Sequence, residues 1–159
     1  MAETLQSGSL VPTQDERAMA TLAHALQIIL SWIAPLVIFL THRNSRFVSF
    51  HALQALLLQI LQVIVIVVCF VGWFVLMFSA LFVSGAGKPV ANPPVGLFMV
   101  FPLLWLLLMG TWITGFIVVI VYAVKANRGE WAEYPVLGRM ARKLLKIGPG
   151  GLGIYKPRP

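Results

Sequence analysis

Three stretches of this chain run without a single Asp, Glu, Lys or Arg: residues 18–41, 47–83 and 89–124. A helix needs about 20 predominantly apolar residues to cross a hydrocarbon core of about 30 Å. Inside that core every backbone polar group must be paired within the protein, so helices are the natural spanning element. Composition closes the other routes. Of 159 residues, 59% are hydrophobic and 11% are charged, whereas a soluble domain carries about 25% charged residues. Disordered chains are poorer still in apolar residues. The expected fold is an all-α integral membrane protein with three transmembrane helices and a short basic interfacial helix near the C-terminus.

The chain divides into a flexible segment over 1–12, a transmembrane helical domain over 13–130, an amphipathic interfacial helix over 131–147 and a Gly/Pro-rich tail over 148–159. The first run opens on Thr13-Gln-Asp-Glu16, the pattern of a capping box in which Ser/Thr and Glu satisfy each other's backbone donors. Pro35 predicts a kink in that span. The second run measures about 55 Å as one helix at 1.5 Å per residue. It predicts one long helix whose first part, 47–62, lies at the interface or against protein before the rest crosses. Two short spans turning near Gly72 are the alternative. In the third run the Pro-rich stretch 89–94 predicts a loop. Pro102 then fits a first helical turn, and Gly129 a C-cap.

Charge sets the expected topology. The net charge is +7, from 12 basic and 5 acidic residues. With three spans, ten basic residues fall on one side and only Arg17 and Lys88 on the other. The positive-inside bias then predicts a bacterial inner-membrane protein with its N-terminus outside and its C-terminus cytoplasmic. A basic balance of this kind serves topology and anionic lipid, and no nucleic-acid partner is expected. The lone Cys69 can form no intrachain disulfide.

Within the spans, polar residues stand out. His51, Gln54, Gln59 and Gln62 share one arc of a helix at 100° per residue, an intramembrane polar stripe that should face protein, water or headgroups. It reads as an interhelical network, a partner-subunit interface or a water-filled conduit. Gly110, Thr111, Thr114 and Gly115 form small-xxx-small pairs suited to close helix packing. In the 135–147 segment, Leu137, Met140, Ala141 and Leu144 repeat at helical spacing opposite Arg139, Arg142, Lys143 and Lys146. That pattern suits an anionic headgroup layer, or the surface of a partner subunit.

Histidine is the one candidate ligand. Each of His24 and His51 could be a single axial ligand to a haem or chlorophyll-type pigment. The alternative is that both hydrogen-bond to backbone carbonyls or glutamines, as buried polar groups do. In the three-span topology the two lie about 15 Å or more apart in depth and cannot share one iron. No acid lies inside a run, no paired carboxylates, Ser/His/Asp set or phosphate loop is evident, and neither catalysis nor a metal site is expected. No cofactor is predicted otherwise.

Three blocks carry a resemblance: Asp15-Glu-Arg17 with Leu22-Ala-His24, then Phe47-Val-Ser-Phe-His-Ala-Leu-Gln-Ala55, then Lys125-Ala-Asn-Arg-Gly-Glu130 with Tyr134-Pro135. In order and spacing the chain resembles a family of small bacterial membrane proteins of unknown function. That family is similar to the twenty-kilodalton component of the chloroplast inner-envelope translocon. Ala18-Met-Ala20 stands where that family usually carries Trp. The resemblance implies no catalytic residue and allows a protein-translocation or membrane-insertion role. The residues themselves favour a non-catalytic accessory subunit of a larger membrane complex, with other membrane subunits and anionic phospholipids as partners. A pigment- or haem-binding subunit is a further alternative.

Overall fold

The computed structural model describes residues 11–85 and 95–148. The flexible N-terminal segment up to residue 10, the Pro-rich loop and the tail beyond 148 are expectations that lie outside them. The described residues form six helices: α1 Gln14–Ala25, α2 Gln27–Leu30, α3 Ile33–Thr41, α4 Arg46–Gly85, α5 Val95–Asn127 and α6 Leu137–Leu145. They divide into two compact units, one within 1–60 and 115–159 and the other within 61–114.

The expected capping box forms. Thr13 Oγ1 accepts from the Glu16 N–H at 3.2 Å, and Glu16 Oε2 accepts from the Thr13 N–H at 2.8 Å. The expected first span is not one continuous helix. Its run breaks after Leu30 at Ser31, whose φ of 53° and ψ of −133° lie outside the helical region. Pro35 explains where the helix restarts. It cannot donate to the Ser31 carbonyl, and it stands in the first turn of α3, where no intrahelical acceptor is required. The pieces have 12, 4 and 9 residues, each short of the about 20 needed to cross. They fold back as a hairpin. Ser45, just ahead of α4, donates from Oγ to Glu16 Oε1 at 2.6 Å and accepts from the Val48 N–H at 3.2 Å. The start of α1 and the end of α3 therefore meet at one end.

The start of α4 is the centre of this first unit, here called the head. Val48 and Ala52 pack with Ala23 of α1 and Ile38 of α3. Phe47 packs with Ala20 and with Ala126 of α5. Phe50 and Leu53 pack with Ala141 and Ile147 around α6. Alanines on α1 let its backbone approach α4 closely. The first part of the long helix thus lies against protein, and α4 runs unbroken past Gly72 to Gly85.

Among the described residues two helices are long and apolar enough to cross a membrane, over Arg46–Ala80 and Phe98–Asn127. α5 begins seven residues before Pro102, so that proline lies inside the helix rather than in its first turn. In the second unit, α4 and α5 meet through Trp73 and Phe101, ring centroids 5.4 Å apart. Most of their large apolar side chains, Val68, Val75 and Leu103 among them, face outward. That surface suits a hydrocarbon solvent.

Two helix ends set up the head. At α5 the Gly129 N–H donates to Ala126 and the Glu130 N–H to Lys125, with Gly129 at φ 77°. This is a Schellman turn with glycine where it costs least. At α6 the same pattern recurs on Lys146 at φ 54°, with Lys146 N–H to Lys143 and Ile147 N–H to Arg142. A non-glycine residue in this region is strained by roughly 1 kcal/mol. Lys146→Gly is expected to raise head stability by up to about 1 kcal/mol, read as an upward shift in thermal unfolding in detergent.

Candidate functional site

After the Gly129 turn, residues 130–136 run as irregular chain along the first turns of α4. Irregular backbone needs partners from elsewhere, and side chains supply them. His51 Nε2 donates to the Glu130 carbonyl at 3.1 Å. One turn on, Gln54 Nε2 donates to the Ala132 carbonyl at 3.2 Å, and Gln54 Oε1 accepts from the Tyr134 N–H at 2.8 Å. The Tyr122 hydroxyl of α5 donates to the Glu133 carbonyl at 2.6 Å. Together these groups latch the loop onto α4.

The latch continues inward as a directed chain. Tyr134 Oη lies 3.1 Å from His24 Nδ1, and His24 Nε2 lies 3.2 Å from His51 Nδ1. A carbonyl can only accept, so His51 must carry its proton on Nε2, leaving Nδ1 as acceptor in the neutral ring. His24 then donates from Nε2 and accepts at Nδ1 from the Tyr134 hydroxyl. Both imidazoles, neutral, have one consistent tautomer each. His24, His51 and Gln54 are fully buried and Tyr134 nearly so. Burial, then the neighbouring His51, pushes the His24 pKa from 6.5 down to about 3. Burial likewise pushes the Tyr134 phenol above its usual range, which keeps the donor proton in place.

The two histidines expected to differ in depth are thus in contact. The reason is the hairpin, which packs α1 against the start of α4 and so brings His24 beside His51. As for axial ligation, all four ring nitrogens of His24 and His51 are engaged, and a metal at either would have to displace one of these bonds. No group of three or more metal-ligating His, Cys, Asp or Glu side chains occurs among the described residues.

The polar stripe divides. His51 and Gln54 form the latch, and Gln59 Nε2 donates to the Gln27 carbonyl at 3.3 Å. Gln62 belongs to the second unit, where it edges an apolar cavity of about 160 Å³ lined also by Phe70, Trp105 and Trp112. The expected packing quartet is not at a helix contact throughout. A Cβ on Gly110 would meet nothing within 4 Å, and Thr114 is exposed. Of the basic residues on α6, Arg142 pairs with Glu133, while Arg139 and Lys143 are exposed beside Met140 and Leu144. The expected apolar face splits, with Ala141 turned into the core and Met140 and Leu144 turned out.

Sequence reasoning missed Tyr134 and Gln27 as buried polar groups and Tyr122 as a partly buried one. Tyr134-Pro135 following the Gly129 turn was the available signal. The Gln27 side chain is buried within reach of the Tyr134 hydroxyl. Gly138 carries a further constraint. A Cβ there would lie 2.6 Å from Glu133 Cβ, 2.8 Å from Gln54 Oε1 and 2.9 Å from Glu133 Cα. Gly138→Ala is expected to displace Gln54 and cost about 1–3 kcal/mol, measured by denaturation of the purified protein.

The family described as the magnetosome magnetite crystal formation protein family matches residues 15–141, most of the chain. No curated protein and no solved structure matches it. The match overturns the resemblance to the chloroplast-translocon-like family. The blocks that carried that resemblance all fall within the matched range. In the structure they supply the cap, the latch and the Schellman turn, which are features of the fold. The resemblance was the ground for a translocation role, and that ground goes with it.

Proposed function

The chain belongs to the magnetosome magnetite crystal formation protein family, and from that premise we propose that it is a non-catalytic structural component of the membrane in which such crystals form. It acts as part of a larger membrane complex. The family match is the observation that carries this reading. The head supports it: the groups that could do acid–base work, His24, His51 and Tyr134, are committed to one another and to backbone in a buried latch.

In this reading α4 and α5 anchor the protein as two spans, and the head lies on the cytoplasmic side. The hairpin brings Arg17 to the same end as Arg43 and Arg46, so eleven of the twelve basic residues share that side and Lys88 stands opposite. This charge bias favours both the segment before Thr13 and the segment after Ile147 being cytoplasmic, in place of the N-outside arrangement expected from three spans. α6 lies at the surface, with Arg139 and Lys143 on anionic headgroups and Met140 and Leu144 dipping below them.

Mild-detergent purification from magnetite-bearing membranes, followed by mass spectrometry, tests the role. A reproducible set of partner membrane proteins is expected. Recovery as a lone monomer would contradict it.

A further inference from the structure

The turn between α2 and α3 presents Ile28, Ile29, Leu30, Trp32 and Ile33 to the outside, Ile29 at 80% exposure. Five large apolar side chains within six residues are not a surface that water tolerates. The opposite side of the same segment is fixed: Gln27, Ala34, Pro35 and Ile38 are buried against the head. The apolar tip is therefore held in place by the fold.

We propose that this tip is a membrane-binding surface that enters the acyl-chain region of one leaflet, on the head's side, without crossing the bilayer. The inference rests on the two-span reading. Length excludes a crossing, since the nine residues of α3 rise only about 14 Å against a core of about 30 Å. Both ends of the hairpin return to one polar end, where Ser45 bonds Glu16 and where Asp15, Arg17, Arg43 and Arg46 collect. Lipid, rather than another protein, is the occupant because the tip lies against a helix that is itself long and apolar enough to cross a membrane. Gln59 of that helix bonds the Gln27 carbonyl, and Ile60 next to it is exposed. Trp32 at the turn suits the boundary between headgroups and chains. An insertion limited to one leaflet adds area to that leaflet alone, which is how interfacial helices become sensitive to curvature.

The test is spin-label depth measurement on the full chain in anionic phospholipid vesicles, in a Cys69→Ser background. Labels are placed by Ile29→Cys, by Val75→Cys as a span reference and by Asp15→Cys as an aqueous reference. The ratio of oxygen to nickel-chelate collisions at Ile29 is expected to exceed that at Asp15 several-fold, with a depth shallower than at Val75. Nickel accessibility equal to that at Asp15 would overturn the insertion. Protection from both reagents would mean a protein contact there and would also overturn it. A water-accessible Val75 would instead refute the two-span reading itself.

Discussion

Gln54→Leu is expected to destabilise the head by about 2–5 kcal/mol. The substitution keeps volume and removes both halves of one clamp. It leaves the buried Tyr134 N–H and the part-buried Ala132 carbonyl without the Gln54 amide; a stranded buried group costs about 1–3 kcal/mol, and a part-buried one less. Gln62→Leu, made on the same helix but facing an apolar cavity, is expected to be near neutral. Chemical denaturation in one detergent, followed by circular dichroism, compares the two. Equal effects would show that the clamp does not hold the head.

Acid should unfold the head through His24. Its imidazole takes a proton near pH 6.5 when unfolded and only near pH 3 when folded. Below 6.5 the unfolded state binds more protons, so stability falls as pH falls. The stabilisation is fully present above pH 6.5 and is lost progressively between 6.5 and 3, at up to about 1.4 kcal/mol per pH unit. Protonation also reverses the chain of donors, because a charged His24 can no longer accept from Tyr134. A pH series of unfolding midpoints should be flat above pH 6.5 and slope downward below it. His24→Phe should lower stability throughout and reduce the slope. An unchanged slope in that variant would remove His24 as the cause.

The long α4, the Thr13–Glu16 capping box and the Gly129 turn were legible because each depends on neighbours in sequence. The polar stripe through His51 and Gln54 stood out in the sequence, but its spacing alone left protein, water and headgroups open as what it meets. The hairpin was not legible. Residues 18–41 have the length and composition of a span, and Pro35 alone does not say whether a helix kinks or restarts. The decision lies in tertiary contacts: Ala20 and Ala23 against α4, Gln59 on the Gln27 carbonyl, and Ser45 on Glu16. The same contacts bring His24 to His51. The start of α5 at Val95 was misplaced because Pro102 fits a first turn locally, whereas a long membrane helix carries it internally.

The most direct measurement is the sidedness of reporters fused ahead of Thr13 and after Ile147, probed with a membrane-impermeant reagent in sealed vesicles. Two spans with a returning hairpin predict that both reporters react from the same face, the cytoplasmic one. Reporters on opposite faces would mean that residues 18–41 cross the membrane, contradicting the hairpin and the head built upon it.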